Sequence, residues 1–182
     1  MFDFNEQIFN DRIEHEHHSY NFQRKSLTKQ KSAIQKPSIA YDNSLISELK
    51  REHELLVEAY GSAFKNGFLR KDFKYLCNQL DEFKTLLQGH TLKENVKLFC
   101  YIEQQMKSDS DSLDLIHRFR RDINYWSNTL FNFCKKYEQP IDVFFMQDSF
   151  EKEYFVVGKA LIHRIRLVEN KLYSQYISNE TI

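Results

Sequence analysis

The chain has 182 residues, which suits one domain with a short extension. Its 26 basic residues balance 26 acidic ones, so no global field favours nucleic acid or an anionic membrane, and neither is expected as a partner. Four Gly and two Pro are too few for the turns of a sandwich or barrel, and 16 Phe with 10 Tyr supply a large aromatic core, so the composition points to long helices.

Residues 1–41 read as an N-terminal extension. Scattered Phe and Ile over residues 2–20 suit a short amphipathic helix. Residues 21–41 carry Arg24, Lys25, Lys29, Lys31 and Lys36 with no acid before Asp42, the pattern of a flexible basic connector ending at Pro37. His15, His17 and His18 alternate with Glu14 and Glu16, which is read as solvated charge on a tail. The opening Met-Phe-Asp-Phe-Asn-Glu has no basic stretch followed by an apolar run, so no secretory signal is expected. No stretch approaches the ~18 apolar residues of a membrane span, and a cytoplasmic protein is expected.

Four helices are predicted over residues 42–178. The first runs from about Ser44 to Lys65, capped by Asn43 or Ser44 and stopped by Asn66-Gly67. The second runs from about Asp72 to Met106. Lys-Ser-Asp-Ser-Asp-Ser at 107–112 breaks it and caps the third, which reaches about Tyr137. Pro140 ends that region, and Ile141, Val143, Phe144, Phe145 and Met146 are expected to pack over one end. The fourth starts near Asp148 or Ser149 and reaches about Tyr176. Short connections favour antiparallel neighbours, hence an all-α, up-down-up-down antiparallel four-helix bundle. Cys77, Cys100 and Cys134 are odd in number, lack a Cys-x-x-Cys pattern and fall within helices, so they read as reduced thiols acting as small hydrophobes.

Polar residues interrupt each predicted apolar stripe. The first helix gives Leu45, Leu49, His53, Leu56 and Tyr60; the second gives Phe83, Leu87, His90 and Glu94. The third gives Leu115, Phe119, Asp122, Trp126, Leu130 and Phe133; the fourth gives Gly158, Ile162, Ile165, Glu169 and Leu172. Inward His and carboxylate side chains on facing helices are what build metal sites in bundles. Taken singly, His53 or Asp122 reads as a hydrogen-bonded core residue. The His90–Glu94 pair carries more, because an i, i+4 spacing puts both side chains within reach of one ion. There is no Gly-rich phosphate loop, nucleophile elbow or paired-Cys site, so an enzyme is not expected. His117 and His163 fall off the stripes and receive no role.

These residues sit in a recognisable frame. Leu-Lys-Arg-Glu-His53-Glu-Leu-Leu, Gly-His90-Thr-Leu-Lys-Glu94-Asn and Gly-Lys-Ala-Leu-Ile-His-Arg164-Ile-Arg-Leu-Val-Glu169 resemble the hemerythrin-like (HHE cation-binding) family over residues 45–177. That family is a four-helix bundle around a non-haem di-iron centre with five His and two carboxylates. The resemblance implies iron as cofactor, a diatomic ligand such as oxygen or nitric oxide, and a sensing or regulatory role. It implies His53, His90, Glu94 and Glu169 as metal ligands, with Asp122 as a substitute carboxylate from the third helix. The chain departs from the pattern at Arg164, where the fourth-helix His would stand, and at Arg121, where the second His of the third helix would stand. The complete oxygen-carrying site is therefore not expected; a reduced or mononuclear site, or none, is.

A second, diffuse resemblance is to the regulator-of-sigma-D family, carried by the start of the bundle, the Gly-His90 region and the Val-Gly-Lys-Ala-Leu ending. It implies a metal-free, cytoplasmic four-helix protein whose partner is the primary RNA polymerase sigma factor.

Overall fold

The computed structural model describes residues 38–107 and 109–177. Among these residues every regular element is helical and there is no strand. The expected extension, apart from residues 38–41, and the His15, His17 and His18 cluster lie outside the described residues. Helix α1 is Leu45–Ser62, continued by a π-helical turn, Ala63–Phe68. Helix α2 is Phe73–Lys93, followed by a π-helical stretch, Glu94–Phe99, and then α3, Cys100–Gln105. Helix α4 is Ser110–Lys136, and α5 is the short Pro140–Phe145. Helix α6 is Gln147–Leu167, continued by the π-helical Val168–Leu172 and the 3-10 turn Tyr173–Gln175.

The ends of these helices follow from local chemistry. Asp72 caps α2 by accepting from the Tyr75 amide at 2.9 Å, and Asp109 caps α4 by accepting from the Asp111 and Ser112 amides at 3.2 Å. At α1 the Ser44 hydroxyl lies between the carboxylates of Asp42 (2.7 Å) and Glu48 (2.9 Å) and caps no backbone amide.

Asn66-Gly67 does not stop the first helix. The helical turn runs through Phe68, and the left-handed residue in the following turn is Lys71, at φ 58°. Gly67 serves close packing instead: a Cβ there would fall 2.6 Å from Leu76 Cβ and 2.7 Å from Leu76 Cα.

Helix α1 packs on α2 and α6, and α4 packs on the same two. The expected stripes of α1 and α2 are buried as read, with Leu45, Leu49, His53, Leu56 and Tyr60 facing Phe83, Leu87, His90 and Glu94 inside. The α4 stripe sits one residue away from the expected one. Ile116, Ile123 and Ser127 are buried with Leu130, Phe133 and Cys134, while Leu115 and Asp122 are exposed. One residue is a rotation of about 100° on a helix, enough to carry a side chain out of the core. On α6 the stripe likewise runs through Val157, Leu161, Arg164, Ile165 and Val168, with Gly158, Ile162 and Glu169 on its flank.

The apolar interior falls into two clusters. One holds Leu56, Tyr60, Phe83, Leu87, Leu130, Phe150 and Leu161; the other holds Leu45, Leu49, Leu98, Tyr101, Ile123, Val168 and Leu172. Each fully buried Leu contributes about 1.5–3 kcal/mol relative to exposure. Within the first cluster Tyr60 and Tyr154 stack at 4.3 Å, and each hydroxyl donates to the other's backbone carbonyl, at 2.8 and 3.0 Å. The buried polar residues among those described are His53, His90, Glu94, Ser127 and Arg164. On every helix they fall between members of the two clusters, so one polar layer separates two apolar ones.

The segment after α4 packs as α5 against α2, with Pro140 at the first helical turn and Val143 buried, while Phe144 and Phe145 stay exposed. Cys77 and Cys134 are buried free thiols, pushed up by burial to about 11 and about 12. Such thiols are poor nucleophiles, in keeping with a packing role. Among the described residues no helix is long and apolar enough to cross a membrane.

Candidate metal centre

His53 enters the polar layer from α1, His90 and Glu94 from the end of α2, and Arg164 from α6. Each occupies a stripe position because its spacing to Leu49 and Leu56, to Leu87, or to Leu161 and Val168 is helical. Among the described residues, two of the three π-helical stretches begin here: one starts at Glu94, the other starts at Val168 and contains Glu169. Such bulges are frequent at functional sites.

The two imidazoles meet through Nε2, 3.1 Å apart, with ring centroids at 4.7 Å. The opposite nitrogen of each ring faces a carboxylate. His53 Nδ1 lies 2.7 Å from Glu169 Oε1, and His90 Nδ1 lies 3.0 Å from Glu52 Oε2. Ionised carboxylates only accept, so both Nδ1 atoms carry the hydrogen. Burial, and then the charge of His90, push His53 down to about 4, so this ring is neutral near pH 7 and its Nε2 is a bare lone pair.

Glu94 divides its two oxygens. Oε2 accepts from Arg164 Nη2. Oε1 lies 3.1 Å from His90 Nε2 but out of line for a hydrogen bond, and it is a buried oxygen without a hydrogen-bond partner. Burial pushes the Glu94 carboxyl up; the Arg164 guanidinium and the two histidines outweigh it and hold the group down at about 2. Arg164 Nη1 reaches His90 Nε2 at 3.5 Å, while its Nε is unpartnered. The ring of Tyr173 stacks parallel to His53 at 6.0 Å.

His53, His90 and Glu94 thus each bring a ligand atom to within 4.8 Å of the others, a buried trio that can hold a metal ion. With a bond of about 2.1 Å, one ion holds neighbouring donors about 3.0 Å apart in octahedral and about 3.4 Å apart in tetrahedral geometry. Two of the three separations, His53 to His90 and His90 to Glu94, are 3.1 Å and match that range; the third lies within 4.8 Å. The formal charge also suits an ion. Four carboxylates, Glu48, Glu52, Glu94 and Glu169, lie with two cations, Lys93 and Arg164, around the two rings, an excess of two negative charges.

Of the five ligands expected from sequence, the structure brings three together. Glu169 is half-buried and turned onto the outer nitrogen of His53, so it meets the ring from behind. Asp122 is exposed on α4 and stands apart from the trio, a correction that follows from the shifted stripe. His117 is exposed and lies 3.7 Å from Glu103, and His163 is exposed beside Trp126. Among the described residues the trio offers three donor atoms that could hold a metal ion.

Sequence reasoning missed one participant, Glu52. Glu52 reaches His90 from the neighbouring helix and is also paired with Lys93; nothing in its spacing marks it, since it lies beside the α1 stripe. Arg164, expected from the resemblance to stand at the site and able there to pair with Glu169 or Asp122, is fully buried in it. Its partner is Glu94, not Asp122 or Glu169.

In comparisons with protein-family models, curated proteins and solved structures, the chain matches none.

Proposed function

We propose that residues 42–178 form a hemerythrin-like four-helix bundle that binds a single non-haem iron ion through His53, His90 and Glu94. The neighbour relations support the bundle: α1 and α4 each contact α2 and α6, as four helices in a ring do. One observation carries the metal. The Nε2 lone pair of His53 faces His90 Nε2 at 3.1 Å, beside an unpartnered carboxylate oxygen of Glu94. Facing lone pairs repel unless a proton or a cation lies among them, and a buried unpartnered oxygen is costly.

Two His and one carboxylate with further positions open is the ligand set that favours ferrous iron. Iron held this way supplies open coordination positions for a small ligand such as oxygen or nitric oxide. The chain's own part is to keep the His53 ring neutral, fix the orientation of both rings, hold Glu94 ionised through Arg164 and wall the site with apolar layers. A sensing or regulatory role is the reading that agrees with the resemblance. Anaerobic loading followed by elemental analysis tests it: about one iron per chain is expected, with a new visible band on adding nitric oxide. Less than about a tenth of an ion per chain removes the reading.

The Arg164–Glu94 pair favours a second reading, in which the guanidinium supplies the counter-charge to Glu94 and the bundle is a metal-free interaction module. The resemblance to sigma-binding proteins would make the primary sigma factor its partner. That reading predicts capture of the sigma subunit by the full chain, unchanged by a chelator.

A further inference from the structure

We propose that Glu52 and Glu169 are positioning carboxylates that aim the two imidazoles at the metal, an inference that rests on the metal-binding reading above. Each accepts from the outer nitrogen of one ring, Glu52 from His90 Nδ1 at 3.0 Å and Glu169 from His53 Nδ1 at 2.7 Å. That hydrogen bond selects one tautomer. With hydrogen on Nδ1, the lone pair is on Nε2, and both Nε2 atoms then face the interior beside Glu94.

The rings are also fixed in angle. Glu52 is itself held: its second oxygen accepts from Lys93 Nζ, and Lys93 is three residues beyond His90 on the same helix. His90, Glu52 and Lys93 thus close a clamp between α1 and α2. Glu169 comes from the π-helical turn after α6, and Tyr173 of the adjoining 3-10 turn stacks on the ring that Glu169 holds. Both carboxylates are partly exposed, so neither takes up space in the buried trio. A carboxylate behind a ligating imidazole raises the basicity of the ring, and its loss costs about 10–100-fold in metal affinity.

The experiment uses the full chain, loaded anaerobically with ferrous iron, as wild type, Glu52→Gln, Glu52→Leu, Glu169→Gln and a control, Glu153→Gln. Glu153 pairs with Lys136 on the exposed surface. Dissociation constant, stoichiometry and ferric/ferrous potential are measured for each, with thermal unfolding of the metal-free form as the check on folding. Glu52→Gln and Glu169→Gln should each weaken binding about tenfold and Glu52→Leu about 100-fold. Stoichiometry at saturation should stay at one ion, and the potential should rise, because a less basic imidazole stabilises the ferric ion less. The control should change none of these.

Affinities within threefold of wild type, while His90→Ala abolishes binding, would overturn the positioning role and leave the metal site standing. Loss of the ion at saturation in Glu169→Gln would make Glu169 a ligand and overturn its part. Wild type that takes no metal removes the site and this inference together. Should Glu52→Leu fail to fold, the isosteric Gln variants carry the comparison.

Discussion

His53 and His90, 37 residues apart in sequence, face each other through Nε2 at 3.1 Å in the protein interior, and each turns its other nitrogen onto a carboxylate. Two imidazoles so arranged share whatever lies between them.

The ligand set is tested by substitution. His90→Ala and Glu94→Ala should each lower bound metal to below about a tenth of an ion per chain, measured by elemental analysis after loading and desalting. Asp122→Asn should leave stoichiometry unchanged, because Asp122 is exposed and outside the trio. A loss in Asp122→Asn equal to that of His90→Ala would refute the assignment.

Arg164 and Glu94 should be energetically coupled. Both are fully buried and paired. Arg164→Leu leaves a buried carboxylate without its cation, a change that costs about 3–5 kcal/mol. Urea unfolding of the metal-free chain should show that loss, and the double variant Arg164→Leu with Glu94→Gln should recover a large part of it. Additive effects in the double variant would show that the pair is not coupled.

Acid should destabilise the metal-free fold. The folded pKa of His53, about 4, lies below its ordinary 6.5, because burial and then His90 disfavour its charged form. The unfolded chain therefore binds the extra proton between those values, and stability present above pH 6.5 is lost as pH falls through 4. The shift corresponds to on the order of 3 kcal/mol. Glu94 acts in the same direction at lower pH: its folded value is about 2 against an ordinary 4.5, so its contribution is complete above 4.5 and lost as pH falls through 2. Unfolding free energies measured from pH 8 downward should decline from about pH 6.5, and His53→Gln should remove the upper part of that decline.

Two glycines of α1 and its extension should respond oppositely. Gly67→Ala places a Cβ on the Leu76 backbone and should destabilise by about 1–3 kcal/mol. Gly61 is exposed within α1 with nothing within 4 Å of its Cβ position, so Gly61→Ala should stabilise by about 0.5–1 kcal/mol. Thermal unfolding measures both. A stable Gly67→Ala variant would mean that α1 and α2 do not approach as described.

By itself the sequence determined the helical class, the places of the four long helices and the inward faces of α1 and α2. Helical periodicity and capping residues are local properties, so Leu45 to Tyr60 and Phe83 to Glu94 read correctly from spacing alone. It also singled out His53, His90 and Glu94, whose polar groups interrupt otherwise apolar stripes. Rotation of α4 and α6 was beyond it, because a stripe can be read one residue to either side until a neighbouring helix selects a face. That choice exposed Asp122, set Glu169 behind His53 and drew Arg164 into the centre. The part of Glu52 and the pairing of Arg164 with Glu94 were decided by tertiary structure alone: a buried charge goes where an opposite charge on another helix meets it, and periodicity carries no record of that meeting.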